Sequence, residues 1–538
     1  MKITANNPNA KLQSSNSLIL QPHNFMKHYL FLVVLCWLFI SPVVLAQKTV
    51  IHIERAKKAN YDARLGKDVQ RLVGDVIMRQ DSTLFYCDSA YLNEKTRNFD
   101  AFGQVYINVN DSMDIYSDRL IYNGDSRIAE LFDNVRLIDD STVLETHYLL
   151  YNRVTQLATY PNKGKITQGD KVLTSVKGYY QSDLKEFYFR KDVVLVTPDY
   201  ETYSDTLVYN SISEIAWFYG PTVIRSDENT LYGGYGWYNT LTNQAYLTKQ
   251  PSIYTMEQMV YADTMFYDRN TGFGRAGGRV EVIDTNYQVI VKGAFGQFWE
   301  LEGKSYVTDS AVAVTYDTED SLFIHADTLF LYFDEDREAK KMEAYYGVRF
   351  FRTDLQGTCD SLSYLLSDST IRMFQDPVLW SEENQLSADS IHIMMTNKAL
   401  DSLVMYNNAF IVSRDTIRGY NQIKGKDMIG YFKKNELDRI AVEGSAQTVY
   451  WVREEDKSLI GINLAKASRM LIKLFKSQIT EIIYRSSPNE VMYPEKDLPA
   501  GEEKMRGFRW LQERRPKDKM DIFRKSEDRA EEKNQDIK

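Results

Sequence analysis

The chain has 538 residues, of which 43% are hydrophobic and 26% charged, with a formal net charge of −9. That length exceeds one hydrophobic core, so the chain is either multidomain or an elongated array, and its acidic balance with no basic stripe excludes a general nucleic-acid binder. Tyr (37) and Phe (25) are abundant and Pro (12) is scarce, a composition that suits a folded β-rich protein rather than a disordered one.

Taken from the N-terminus, the only long apolar run is Tyr29–Ala46, preceded by Lys27 and His28 and closed by Val44-Leu45-Ala46 before Gln47. A cationic start, an apolar stretch and a small residue at the cut predict a secretory signal peptide over residues 1–46, cleaved after Ala46 and with Met26 as a possible true start. The competing reading is an uncleaved membrane anchor.

After the leader one phrase returns repeatedly: a small residue, an aspartate, then apolar residues at every second position. It reads Cys87-Asp88-Ser89-Ala90-Tyr91-Leu92, Ser117-Asp118-Arg119-Leu120-Ile121-Tyr122, Ser204-Asp205-Thr206-Leu207-Val208-Tyr209 and Ala262-Asp263-Thr264-Met265-Phe266-Tyr267, with further copies at Asp327, Asp360, Asp389 and Asp427. Adjacent copies stand 30 residues apart from Asp88 to Asp118, 33 from Asp327 to Asp360 and 29 from Asp360 to Asp389. A fixed period of this size predicts one supersecondary unit stacked many times. Between copies lies a second phrase, as in Phe102-Gly103-Gln104-Val105-Tyr106-Ile107, Phe132-Asp133-Asn134-Val135-Arg136-Leu137 and Gly277-Gly278-Arg279-Val280-Glu281-Val282. A Gly- or Asn-bearing bend entering Val-x-Val alternation predicts a strand with one buried face, so each repeat supplies two strands.

Because side chains alternate faces, Leu120 and Tyr122 share one side and Arg119 the other, and Val105 with Ile107 faces away from water where Arg136 and Glu281 face it. Strands apolar on both faces, such as Val193-Val194-Leu195-Val196, predict a sheet folded over on itself. Alternation leaves open whether the interior is filled or holds a ligand. The repeated Asp fits a residue capping a turn or ending the apolar stripe better than a calcium ladder, which uses Gly-rich nonapeptides with several Asp per turn.

Cys87 and Cys359 occupy the small-residue slot of the phrase and predict packing roles rather than a disulfide, metal site or nucleophile. His52, His147, His325 and His392 form no metal-ligand spacing, although His325 and Asp327 share a strand face, and no nucleophile elbow or phosphate loop accompanies them. The sequence predicts no enzyme, no metal and no cofactor. From Tyr493-Pro494 onward the chain becomes dense in alternating charge, so repeats are expected over 47–490, in one or several sub-domains, and a charged helical or disordered tail over 491–538.

An Asp-led strand ending in Tyr alternating with a Gly- or Asn-bearing Val strand, after a signal peptide, resembles the OstA-like family of organic-solvent-tolerance and LptA-like lipopolysaccharide-transport proteins. The phrases Ser117–Tyr122, Phe132–Leu137, Ala262–Tyr267 and Tyr346–Phe350 carry the likeness. The resemblance implies an all-β fold, an elongated antiparallel β-jellyroll opened into a V, with an apolar interior that holds the acyl chains of lipopolysaccharide. It further implies a periplasmic bridge protein in glycolipid transport to the outer membrane, with lipopolysaccharide or a related glycolipid as cargo. Its partners would be other lipopolysaccharide-transport proteins joined end to end by strand pairing, with no nucleic acid. Carried over by position, it makes Val105, Ile107, Val135, Leu137, Val223, Val280, Val282, Val348 and Phe350 the expected lipid contacts. The chain departs from the family in its length and its charged tail, and no barrel-forming strand series follows the repeats. The alternatives are a ligand-free structural or adhesive β-solenoid of the cell envelope and, less well matched by period, a parallel β-helix enzyme.

Overall fold

In the computed structural model, residues 50–524 are described, apart from 62–65, 228, 317–319, 397–398, 416, 434–435 and 476–477. The expected leader lies outside the described residues. The described residues form one continuous antiparallel sheet with no α-helix. Early strands run eleven or twelve residues, as in Val69–Gln80, Thr83–Asn93, Asn98–Val109 and Met113–Asn123, and each pairs with its sequence neighbours.

These strands are too long to lie flat, and each pairing breaks register once near its middle: between Val73 and Val76, Phe102 and Val105, Phe132 and Val135, Gly277 and Val280, and Tyr345 and Val348. At many of these points two consecutive residues adopt left-handed backbone, as at Gly103 (φ 74°) and Gln104 (φ 42°), Asp133 (58°) and Asn134 (47°), and Asn407 (55°) and Asn408 (53°). The pair turns the chain through a corner, and the residues before and after it can both face inward: Ala101 and Val105 are each 1% exposed. Each long strand is thereby folded into two arms, and elsewhere two short strands, such as Leu157–Tyr160 and Gly164–Gln168, take the two arms separately. The first contains 76–80, 83–87, 105–109 and 113–117; the second contains 69–73, 89–93, 98–102 and 119–123. Stacked copies make a long jellyroll with a corner along one side and a mouth along the other.

The aspartate phrase is the other half of this corner. Its small residue faces inward where the arms meet and often bridges the bend, as when Ser117 Oγ donates to Arg119 O at 3.1 Å and Ser204 Oγ to Thr206 O at 3.2 Å. Its aspartate accepts from the bend opposite: Asp118 from Asn134 Nδ2 (2.7 Å), Asp427 from the Asn407 amide (2.9 Å), and Asp263 from the Arg279 amide (3.1 Å). Hydrogen bonding from Arg279 holds the Asp263 carboxyl below its ordinary value. Where this contact is closest only glycine fits, since a Cβ on Gly103 would stand 2.4 Å from Asp88 Oδ2 and one on Gly278 2.3 Å from Asp263 Oδ2.

The tail, expected to be helical or disordered, is over its described part an extended strap that runs back across the outer face of the first arm. Pro494, Pro499 and Pro516 oppose a helix, and its backbone groups are taken by the sheet instead. Gln422 donates to Glu503 O (2.8 Å) and accepts from the Met505 amide (2.9 Å). Gln385 does the same with Arg509 O (2.8 Å) and Leu511 N (2.7 Å), and Gln356 accepts from Arg515 Nε (2.8 Å). The three glutamines lie in one register row, Gln356–Trp380–Gln385–Val412–Gln422, so they fall on alternate strands. Beneath the strap Trp380, Val412 and Val449 are buried on a face that elsewhere meets water. Asp376 anchors Arg509 and Arg514, each at 2.7 Å, and Phe523 ends the strap against His325, ring centroids 4.7 Å apart.

Candidate functional site

The space between the arms is where an apolar ligand would sit, and its character changes along the chain. Up to about Phe218 it is filled. Phe85, Phe99, Phe187, Phe189 and Phe218 are at most 1% exposed, and truncating any one would cost about 3–5 kcal/mol in so closed a core. Val105, Ile107, Val135 and Leu137 belong to this packed interior, none more than 2% exposed.

The same stretch is clasped across its mouth. Tyrosines near the ends of second-arm strands recur every 29 residues, at Tyr122, Tyr151, Tyr180 and Tyr209, and three of them meet a polar residue on the first arm. Tyr122 shares Gln80 with Arg153, whose guanidinium also donates to Gln80 O at 3.1 Å and Tyr122 Oη at 2.6 Å. Tyr180 donates to Asp139 at 2.5 Å, and Lys185 pairs with the same carboxylate and with Asp140 at 3.0 Å. Tyr209 donates to Gln168 at 2.8 Å, which in turn donates to Ser211 O at 3.1 Å, while Lys171 pairs with Glu214. Burial and the Asp139 carboxylate push the Tyr180 phenol well up; burial opposes the Lys185 charge, but its two carboxylates outweigh that and raise its value. The tyrosine period was visible in the sequence, but its partners, some forty residues away, were not.

The clasp lapses in the middle of the chain. Its last members are the Tyr200–Tyr238 edge contact (4.6 Å between centroids) and the Arg269–Asp199 pair (3.2 Å), and it resumes where Tyr287 donates to Glu338. Between them, among the described residues, no hydrogen bond or ion pair ties the first-arm tip at 254–258 to the second arm. This window spans six first-arm strand spacings between strands Glu201–Asn210 and Val289–Trp299, about 30 Å at ~4.8 Å each.

Inside the window several inward positions are small, beside a local cluster of Met265, Val280, Ile253, Val260 and Val282. Opposed across the strands are Ala276 and Gly296, Val280 and Gly293, Gly296 and Val307, and Val291 and Ala313. Val282, Val289 and Val291 are only half-buried, and inward-facing Phe298 is 37% exposed. A Cβ added at Gly274 or Gly296 would make ordinary contact, with its nearest atoms 3.7 Å and 3.4 Å away. Elsewhere the arms close on holes of about 90 Å³ beside Thr83, Arg153 and Lys185 and about 50 Å³ among Ile324, Phe350, Leu362 and Ile393. Both are smaller than the ~150 Å³ that accommodates benzene.

The nine expected contacts therefore fall in three settings. Val280 (3% exposed) and half-buried Val282 line the window. Val105, Ile107, Val135, Leu137, Val348 and Phe350 are sealed in core. Val223 lies on the outer face, paired with Tyr203 and Tyr232, and the inward residues of its strand are Thr222 and Ile224. His325, also outward, is covered by strap residue Phe523, and its Nδ1 lies 2.8 Å from Ala311 O.

A family model described as OstA-like protein matches residues 48–205. No curated protein matches the chain. Among solved structures, the chain is similar to LptH, the LptA homologous periplasmic component of the conserved lipopolysaccharide transport device from Pseudomonas aeruginosa. That likeness has 11% identity and a TM-score of 0.20, and covers 26% of this chain and 95% of that one.

Proposed function

We propose that this chain, OstA-like over residues 48–205, is a periplasmic carrier that shelters the acyl chains of a lipopolysaccharide-type glycolipid in the central window and takes part in its transport to the outer membrane. The observation that carries the reading is the coincidence of three changes in one stretch: the clasp lapses, Gly and Ala enter the inward positions at Gly274, Ala276, Gly293 and Gly296, and inward Val282, Val289 and Val291 are only half-buried. Each methylene moved from water into such a site is stabilised by about 0.8 kcal/mol, while a polar head stays outside the mouth. No bond is made or broken, so the site needs no catalytic group. Val280 and Val282 are its contact residues; contact at Val105 or Val135 would require the clasped arms to part.

The end strands His52–Arg55 and Lys58–Tyr61 on one side, and Gln478–Arg485 and Asn489–Tyr493 on the other, offer edges on which other transport proteins would add a strand. The filled, clasped stretch up to Phe218 favours a second reading, a ligand-free structural solenoid. A photo-crosslinking residue at Val282, compared with one at Val135, separates the two in living cells. Glycolipid adducts at Val282 and none at Val135 support the carrier; a folded protein without adducts at either leaves only the solenoid.

A further inference from the structure

The outer face of the second arm carries a row that neither the fold nor a lipid interior requires. Strand pairing places one residue per strand in a single line that contains Tyr188, Trp217, Trp237, Tyr246 and Phe266, continues through Arg275 and Gln297, and ends at Tyr306 and Phe330. Only Val208 interrupts its first half. The line crosses ten strands, nine spacings of ~4.8 Å, and is about 43 Å long. All these rings are half-buried, so part of each meets solvent.

Earlier in the same register row stand Arg71, Tyr91, Asp100, Ile121, Glu130, Leu150 and Thr159, with Tyr91 the one ring among them, and Tyr179 comes next, beside Tyr188. The aromatic character thus begins partway along the chain, and cations accompany it. Arg275 lies over Phe266 (5.8 Å), Lys304 over Trp299 (5.4 Å) and Phe330 (5.6 Å), and Lys249 over Tyr235 (3.6 Å). On the corner side Thr248, Thr264, Thr308 and Thr328 alternate with Tyr219, Tyr235 and Phe295, and on the other Asn239, Gln244 and Asp268 share the border with Ile215, Phe273, Trp299 and Tyr332.

We infer that this row is a binding track for a linear anionic glycan. The row is far longer than it is wide and mixes aromatic rings with hydroxyl, amide and cationic groups, which gives it the shape and chemistry of a site for an extended polar chain rather than for a second apolar face. One ring per strand is a spacing close to one pyranose unit, so successive sugars lie flat on successive rings, and the cations that cap the rings meet carboxylate or phosphate groups on the chain. The borders supply hydrogen-bond partners for sugar hydroxyls. The track faces away from the arm interior, so it stands whether or not the window holds lipid.

The test is calorimetric titration of the full chain with a hyaluronan decasaccharide, with neutral cellohexaose and with phosphatidylglycerol vesicles. The anionic oligosaccharide is expected to bind, with cellohexaose at least tenfold weaker. Trp237→Ala is expected to weaken both by tenfold or more, and Arg275→Gln only the anionic one, with melting curves unchanged. Arg275→Gln also serves if Trp237→Ala does not fold. No binding of either oligosaccharide, equal binding of both, binding untouched by Arg275→Gln, or adsorption to vesicles alone would each overturn the inference.

Discussion

Tyr180 and Asp139 stand 41 residues apart in sequence and on opposite arms, yet the phenol donates to the carboxylate at 2.5 Å across the mouth. The Asp139 side chain is 3% exposed and has Lys185 as its cation, so the contact locks the arms rather than decorating a rim. Removing only the phenol, Tyr180→Phe, leaves the ion pair and is expected to cost about 1–3 kcal/mol. Lys185→Ala leaves a buried carboxylate without its cation and is expected to cost about 3–5 kcal/mol. Urea unfolding ranks the two, and amide exchange in residues 142–196 reports whether the loss is local opening. An equal effect of both substitutions would show that the ion pair adds nothing to the clasp.

At the corner, Gly103 has φ 74° and its absent Cβ would stand 2.4 Å from Asp88 Oδ2. Gly103→Ala combines a steric clash with left-handed backbone strain, expected to total about 2–4 kcal/mol. Adding Asp88→Ala relieves the clash but not the φ, so the double variant is expected to recover part of the loss, measured as urea midpoints across the double-mutant cycle. Full recovery would mean that backbone conformation costs nothing there.

The corner also marks how far the sequence could be read. Phe102-Gly103-Gln104-Val105 announces a bend followed by an inward Val, and the alternation on both sides assigns faces correctly for Ile107, Leu120 and Arg119. Aligned on the same bend, Tyr219-Gly220-Pro221-Thr222 puts the inward slot on Thr222 and Ile224, so choosing Val223 followed residue type against parity. Alternation says which side a residue faces but not what fills the space, because that depends on partners such as Gln80 and Tyr122, brought together only by folding. The strap was hidden for a related reason: an outward Gln385 reads as a solvated residue until the backbone it binds, more than a hundred positions later, is placed over it.

The strap covers an apolar outer face, and truncation after Tyr493 should uncover Trp380, Val412 and Val449. That variant is expected to bind a hydrophobic dye and self-associate where the intact chain does not. Gln385→Leu is milder: it removes both bonds to the strap and is expected to speed proteolysis near Arg509 with little change in global unfolding.

Acid should loosen the same attachment. Burial raises the cost of charge on Asp376, but Arg509 and Arg514 outweigh it and hold its value below the ordinary carboxylate range. Its contribution is therefore complete above the unfolded value of about 4 and drains away as pH falls through the lowered folded value. Proteolysis at the strap should quicken below about pH 4, and Asp376→Asn should show fast cleavage at pH 7 with a flatter pH profile.

The window offers the sharpest trial of the carrier reading, because it can be closed without touching the clasp. Gly274 and Gly296 face inward and have ordinary contact distances to an added Cβ, 3.7 Å and 3.4 Å. Neither has the positive φ that would forbid a side chain. Gly274→Leu with Gly296→Val should fill the gap between Phe298 and Val307 and raise stability by about 1 kcal/mol through added apolar burial. The same variant should lose glycolipid crosslinking at Val282. A variant that is more stable and still labels there would place the lipid elsewhere, since filled space and an acyl chain cannot share one volume.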